Sequence, residues 1–202
     1  MGKGNTFVIE GDEYDTAFFD KVPKFIHYKP RSVILTSIEF DHADIYKDLN
    51  AVKDAFKMLL KLIPDDGNFI YQAEDENIKA ILSTRHCRNT ESYGMEKGDW
   101  QLGQITWTPE YSEFDVLHKG KKGDVVKSPL FGEYNLLNCL SVYALGCHLK
   151  IRSEVIRKAL SDFKGVKRRQ EIIGRPNGIT VIEDFAHHPT AVKVTLDGVR
   201  KR

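Results

Sequence analysis

With 202 residues, the chain has room for one large domain, or for one domain and part of a second. Hydrophobic residues make up 41% and charged ones 29%, and 30 basic against 29 acidic side chains leave a net charge of +1, which excludes bulk attraction to nucleic acid or to an anionic membrane. No apolar run approaches the ~20 residues of a membrane helix, the N-terminal MGKGNTFVIE has no signal-peptide core, and Cys87, Cys139 and Cys147 lack CxxC spacing, which predicts reduced thiols in a cytoplasmic protein.

In chain order, NTFVIE (5–10) predicts a short strand that ends in acids. SVILTSI (32–38) predicts another, ending at Glu39, Asp41, His42 and Asp44. From Asp48 to Ile63 the apolar positions Leu49, Val52, Phe56, Leu59, Leu60 and Ile63 follow three-and-four spacing, an amphipathic helix stopped by Pro64 and the turn DDG. NFIYQ (68–72) reads as a strand and ENIKAILS (76–83) as a helix. This alternation predicts an α/β fold with a mostly parallel sheet and crossover helices. Residues 99–131 change character: WQLGQITWTP, EFDVLHKG and DVVKSPL read as a small antiparallel section. NLLNCLSVYALGCHL (135–149) is a strongly apolar helix with Cys139 and Cys147 in its core. SEVIRKALSDF (153–163) is a second helix, with Ser153 as its N-cap. After the basic joint FKGVKRR (163–169), QEIIG and GITVIED predict a new pair of strands, followed by a helix that begins at Pro189. One helix cannot cover a fresh sheet, so residues 170–202 read as the opening of a further domain.

Three apolar runs end in polar clusters, at Glu10, at Glu39–Asp44 and at Glu183–His188. In open α/β sheets, ligands bind beyond the carboxyl ends of the strands. Asp and His are also common in turns, so loop solvation and capping are the favoured explanation of any single cluster, whereas two clusters at strand ends in one sheet point to a site. Glu10 and His42 could together hold a hard divalent cation. Magnesium takes one or two carboxylates and leaves the rest to water and substrate, while a histidine ligand keeps manganese or zinc open. His187 and His188 lead into the Pro189 helix, whose first amides suit an anion.

IEGDEYDTAFFDK followed by LTSIEFDHADIYKDL resembles the Mur ligases, the ATP-dependent amide-forming enzymes of bacterial cell-wall synthesis. FGEYNLLN is similar to their adenine-contacting motif G-x-H-N-x-x-N, with Tyr134 in the place of histidine. VKRRQE and EDFAHHPTA resemble the junction and opening of their third domain. The resemblance implies that residues 1–164 are the latter part of the central ATP-binding domain and that 165–202 begin a Rossmann-like C-terminal ligase domain. EYDTAFFD and EFDHADIY are most similar to the murein peptide ligase branch. That branch joins the tripeptide L-Ala-γ-D-Glu-meso-diaminopimelate to UDP-N-acetylmuramate in peptidoglycan recycling. The L-alanine-adding branch, which usually has EADESD and EADHMD, is the alternative, as is a nucleotide-binding module without catalysis. The family's phosphate loop, G-x-x-G-K-[ST], is absent from this sequence. The N-terminal UDP-sugar domain and most of the third domain are also missing by this reading, so the isolated chain is expected to be inactive.

The same resemblance assigns roles. Glu10 and His42 would bind Mg2+, or Mn2+. Asn135 and Asn138, three apart on one helix face, would read adenine, since an amide offers both donor and acceptor. Tyr134 would lie against the ring. Asp184 would face the ribose and phosphates of ATP, and Arg169 would contact a phosphoryl group, with Lys167 and Arg168 as solvated basic surface. Lys57, fifteen residues after His42, is either the family's metal-bridging carbamylated lysine or a solvated residue beside Lys53 and Lys61. His187 and His188 are candidates for substrate contact, His188 alternatively for a helix cap. The reaction implied is attack of the sugar's lactyl carboxylate on the γ-phosphate, giving an acyl phosphate. The tripeptide amine then displaces the phosphate.

Overall fold

The computed structural model describes residues 4–41, 43–84 and 87–201. The chain divides into two compact units, residues 1–69 with 75–90, and residues 70–74 with 91–202.

In the first unit, β1 (Asp15–Ala17) and β2 (Asp20–Pro23) form an antiparallel hairpin. A 3-10 turn over Lys24–His27 follows and buries Phe25. Strand β3 (Ser32–Leu35) alternates, with Val33 and Leu35 buried. Helix α1 (Leu49–Leu62) starts where Asp48 accepts from the Ala51 amide at 2.9 Å, a cap worth about 1 kcal/mol. Val52, Ala55, Phe56, Leu59 and Leu60 face inward, and Phe56 meets Phe25 with ring centroids 5.7 Å apart. The helix stops at Ile63 because Pro64 forces that residue out of the helical region. Asp75 caps α2 (Glu76–Ile81) by accepting from the amides of Asn77 and Ile78, both at 2.8 Å.

In the second unit, β5 (Asn89–Gly94), most of which lies here, pairs parallel with β6 (Trp100–Trp107). Strand β6 pairs antiparallel with β7 (Ser112–His118), and β7 with β8 (Lys121–Ser128). The β7–β8 hairpin turns on Lys119 and Gly120, both at positive φ (50° and 75°), the pattern that matches the right-handed strand twist. Helix α3 (Glu133–His148) buries Leu136, Cys139, Leu140, Tyr143 and Ala144, while Cys147 is half-buried. Helix α4 (Ser153–Asp162) packs Ile156 and Leu160 inward. Strands β9 (Glu171–Gly174) and β10 (Val181–Glu183) form an antiparallel pair followed by α5 (Pro189–Arg200). With β4 (Asn68–Gln72), the six-stranded sheet runs β3-β4-β5-β6-β7-β8, mostly parallel and closed by the antiparallel hairpins. Among the described residues, no helix is long and apolar enough to cross a membrane.

Several expectations need correction. Residues 5–10 form no strand, and Phe7, Val8 and Ile9 are exposed; among the described residues, no strand pairs with them. The cap of α4 is Arg152 rather than Ser153, whose hydroxyl is turned to the Asp124 carboxylate instead. The run Ile179–Ile182 yields only the three-residue β10, and Ile179 is 67% exposed, because a two-stranded sheet with one helix leaves a face open. Arg168 is not merely solvated: its Nε donates to Glu183 at 3.1 Å. The β1–β2 hairpin and β5 have no counterpart in the predicted elements.

Strand β5 carries an acid with four side-chain partners. Glu91 accepts from Trp100 Nε1 at 2.6 Å and from Lys119 Nζ at 2.8 Å, and it meets His148 Nε2 at 2.8 Å and His118 Nε2 at 3.1 Å. Burial pushes its carboxyl up, but the bonds from Lys119, His148, His118 and Trp100 outweigh that and hold it at about 2, against the ordinary 4.5. In that window the unfolded chain binds the proton and the folded chain does not. The resulting stability, on the order of 3 kcal/mol, is therefore complete above pH 4.5 and is lost as pH falls towards 2. Urea unfolding at stepped pH is expected to show this loss in the native chain. Glu91→Gln should be less stable at neutral pH by about 1–3 kcal/mol and should have a flatter profile between those limits. Equal pH slopes in the two proteins would refute the assignment.

Candidate functional site

In the first unit, the acids around β1 and after β3 gather about Tyr14. Burial raises the Tyr14 phenol, and the carboxylates of Asp44, Asp41, Asp12 and Glu13 raise it further, which marks a strongly negative neighbourhood. Lys24 Nζ pairs with Asp12 at 2.7 Å, and Tyr46 donates to the Glu13 carbonyl at 2.6 Å. The exit from β3 is held by Asp75, which accepts from the Ile38 amide at 3.1 Å, and by Asn77 Nδ2, which donates to the Ile38 carbonyl at 2.7 Å. One acid thus caps α2 and fixes the base of the Glu39–Asp44 loop. Glu10 is exposed, and His42 lies outside the described residues. Among the described residues, no group of three or more His, Cys, Asp or Glu side chains is arranged to hold a metal ion.

Lys57 lies on α1. Its ammonium pairs with Asp54 Oδ1 at 2.9 Å, one turn back on α1, and the bond holds the Asp54 carboxyl below the usual range.

In the second unit, the start of α3 and the segment 165–201 converge. Gly132, at φ 94°, precedes α3, and a methyl group there would lie 2.9 Å from Gly198 Cα of α5. Only two glycines allow this backbone approach. Tyr134, in the first turn of α3, is half-buried, and its hydroxyl accepts from Gln170 Nε2 at 2.8 Å. Burial raises the Tyr134 phenol, as does the nearby Asp184 carboxylate, while Thr195, Asn135 and Arg169 act in the opposite sense. Asp184 leaves β10 and accepts from the amides of Gln170 and Ala186, both at 2.8 Å, and from Thr195 Oγ1 at 3.4 Å.

The predicted residues therefore divide. Tyr134, Asp184 and Arg169 come together around Gln170. Asn138 is exposed on α3, one turn beyond Asn135, whose Nδ2 is used to donate to the Phe131 carbonyl at 2.7 Å. Arg169 is exposed, with its guanidinium 5.7 Å from the centre of the Phe185 ring. His187 Nδ1 lies 2.9 Å from the Phe185 carbonyl. His188 occupies the cap position of α5 without a side-chain capping bond. An open depression of about 600 Å3 runs along α5 past His187, Val192, Leu196 and Arg200; it is the apolar face of that helix and contains neither Tyr134 nor Asp184. Gln170 is the residue that sequence reasoning missed, since nothing in VKRRQE shows that its backbone is left-handed (φ 51°).

Residues 2–146 match the Mur ligase middle domain. The chain is 42% identical over 200 residues to the UDP-N-acetylmuramate–L-alanyl-gamma-D-glutamyl-meso-2,6-diaminoheptandioate ligase of Escherichia coli strain K12, covering 99% of this chain and 43% of that protein. It is 37% identical over 203 residues to a UDP-N-acetylmuramate–L-alanine ligase of Clostridium botulinum strain Langeland, covering 98% of this chain and 43% of that protein. Among solved structures, the UDP-N-acetylmuramate:L-alanyl-gamma-D-glutamyl-meso-diaminopimelate ligase of Neisseria meningitides superposes with a TM-score of 0.71 at 41% identity, over 80% of this chain and 49% of that one. The chain thus spans less than half the length of the curated relatives it matches. The match to the middle domain takes in well over half of the sequence, and on that ground the chain belongs to the Mur ligase family.

Proposed function

We propose that this chain is the ATP-handling part of a ligase that joins L-Ala-γ-D-Glu-meso-diaminopimelate to UDP-N-acetylmuramate. The observation that carries the reading is the meeting of Tyr134, at the Gly132-led start of α3, with the strand-end acid Asp184 through Gln170. An aromatic ring, an exposed amide at Asn138 and a carboxylate then lie within one unit, the mixture that a purine nucleotide needs. The choice of tripeptide over L-alanine rests on the likeness to the Escherichia coli ligase; the 37% identity to the Clostridium botulinum ligase supports L-alanine as the second reading.

In this proposal Asn138 and Asn135 read the adenine edge, and Tyr134 packs against the base. Asp184 faces the ribose and phosphates, and Arg169 meets the phosphoryl group, which its planar guanidinium suits. Glu10 and His42 hold the divalent metal, which when bound neutralises phosphate charge. Residues 1–164 belong to the central domain and 165–202 to the next one. The cluster of positive φ at Gly165, Arg168 and Gln170 supports a boundary there.

Three outcomes test the reading. The 202-residue chain alone should bind Mg2+·ADP in calorimetry yet release no phosphate from ATP with both substrates present, because it carries no G-x-x-G-K-[ST] loop. ATP-dependent ligation by this chain alone would refute the division of labour. Asn138→Ala should weaken ADP binding by roughly two- to tenfold, the worth of one lost neutral hydrogen bond, and an unchanged Kd would remove Asn138 from the site. Grafted in place of the matching segment of the Escherichia coli ligase, the chain should support tripeptide ligation in preference to L-alanine ligation, and Glu10→Ala in that graft should abolish most turnover. Preference for L-alanine would select the second reading, and near-normal turnover of the Glu10 variant at saturating magnesium would end the metal role of Glu10.

A further inference from the structure

We propose that Gln170 is the positioning residue that sets Tyr134 and Asp184 in one frame, so that contacts to the base and to the ribose and phosphates of a nucleotide are presented together. The inference rests on the nucleotide reading above and adds to it a residue that no motif assigns.

Gln170 makes two bonds in two directions. Its side-chain amide donates to the Tyr134 hydroxyl, and its backbone amide donates to Asp184 Oδ2, each at 2.8 Å. Ordinary extended or helical geometry is not what the residue adopts while making both bonds. Gln170 instead sits at φ 51°, in the left-handed region that non-glycine residues rarely occupy. Such strain persists only where the surroundings over-determine it. Here the surroundings are visible. A methyl group at Gly198 would come within 2.7 Å of Gln170 Nε2, so α5 presents its smallest residue where the amide passes. Thr195, one turn earlier on α5, donates to the same Asp184 carboxylate. Four segments therefore meet at one residue, through its side chain and its backbone amide: the first turn of α3, the joint before β9, the loop after β10 and the last turns of α5.

A filler of space would be a simpler role for Gln170, and leucine, with similar volume, would then serve as well. The arrangement distinguishes the two. A leucine in its place would fill the gap but remove the Gln170 donor from the Tyr134 hydroxyl, leaving Thr195 beside it, while the backbone bond to Asp184 would be untouched. The consequence is loosened registry between Tyr134 and Asp184 rather than a cavity.

The test uses Gln170→Leu, Tyr134→Phe and the double variant of the 202-residue chain, with two readouts. Hydrogen exchange over residues 184–200, without nucleotide, should accelerate about two- to tenfold in each single variant and no further in the double. The Kd for Mg2+·ADP should rise by a similar factor in each single variant and again no further in the double, although Tyr134→Phe keeps the aromatic ring. Additive losses, or an exchange pattern unchanged by Gln170→Leu, would overturn the proposal. So would equal losses of global stability in urea with no change in ADP affinity, since these signify packing alone. Failure of the unsubstituted chain to bind ADP would defeat the nucleotide reading, and the role in presenting a ligand with it. The exchange cycle would still report whether Gln170 ties Tyr134 to Asp184, so the two failures remain distinct.

Discussion

The carboxylate of Asp184 is the fixed point from which the segment after α4 is built. It takes the Gln170 amide on one oxygen, and the Ala186 amide with the Thr195 hydroxyl on the other. Residues 170–200 bury little apolar surface. Their two strands are short, and Ile173, Ile179 and Leu196 are more than half exposed. With so little apolar area removed from water, burial cannot dominate here. Directional bonds to a charged acceptor, each stronger than a neutral one, then decide where the strand ends, where the joint turns and how α5 is oriented.

The same economy appears in Glu91, with a different outcome. Both acids sit on or just after strands, and both collect several donors. Glu91 collects two histidines, a lysine and an indole, and its own side chain is only 14% exposed. These partners tie β5 to β6, to the β7–β8 turn and to the last turn of α3. Asp184 is bonded mostly by two backbone amides, that of Ala186 in its own loop and that of Gln170 in the joint before β9, and keeps a half-open setting. Counting donors therefore separates an acid that holds the sheet from one that can also serve a site. Raw acidity in the sequence does not make that distinction.

Much of the framework was legible because each cue was local. Helix α1 announced itself through the Asp48 cap, its apolar stripe and Pro64, and the structure places it within a residue of the expected bounds. NFIYQ, the antiparallel hairpins and the Pro189 start of α5 were legible for the same reason. Strand β5 was not. NTESYG looks polar because its acid and its serine are satisfied by Trp100, His148 and Asp99, partners up to 57 residues away. Residues 5–10 failed in the opposite way: a β-rich composition promises a strand, but pairing supplies it, and among the described residues none is present. At the site, motif residues such as Tyr134 and Asp184 could be named from resemblance. Their connection through Gln170 could not, since it depends on a backbone angle that a glutamine rarely adopts.

That angle also changes how the basic joint should be understood. Read as sequence, Lys167-Arg168-Arg169 is a run of charge suited to open solvent. In the fold the backbone is tied at Arg168 and Arg169. The Arg169 amide donates to the Val166 carbonyl, the Phe185 amide to the Arg168 carbonyl, and the Arg168 amide to the Glu171 carboxylate. The Arg168 guanidinium crosses to Glu183 on β10, while two left-handed residues, Arg168 and Gln170, flank Arg169. A free linker would relax out of both conformations, because each is disfavoured for a residue with a Cβ. Their coexistence means that the bonds on either side offset the strain, and that Arg169 is held between two constrained neighbours rather than sampling solvent at random. Its side chain alone remains exposed, lying over the Phe185 ring. An arginine whose backbone is fixed and whose guanidinium is unburied can meet an anion at a defined place, with the entropy of ordering the chain already expended in folding.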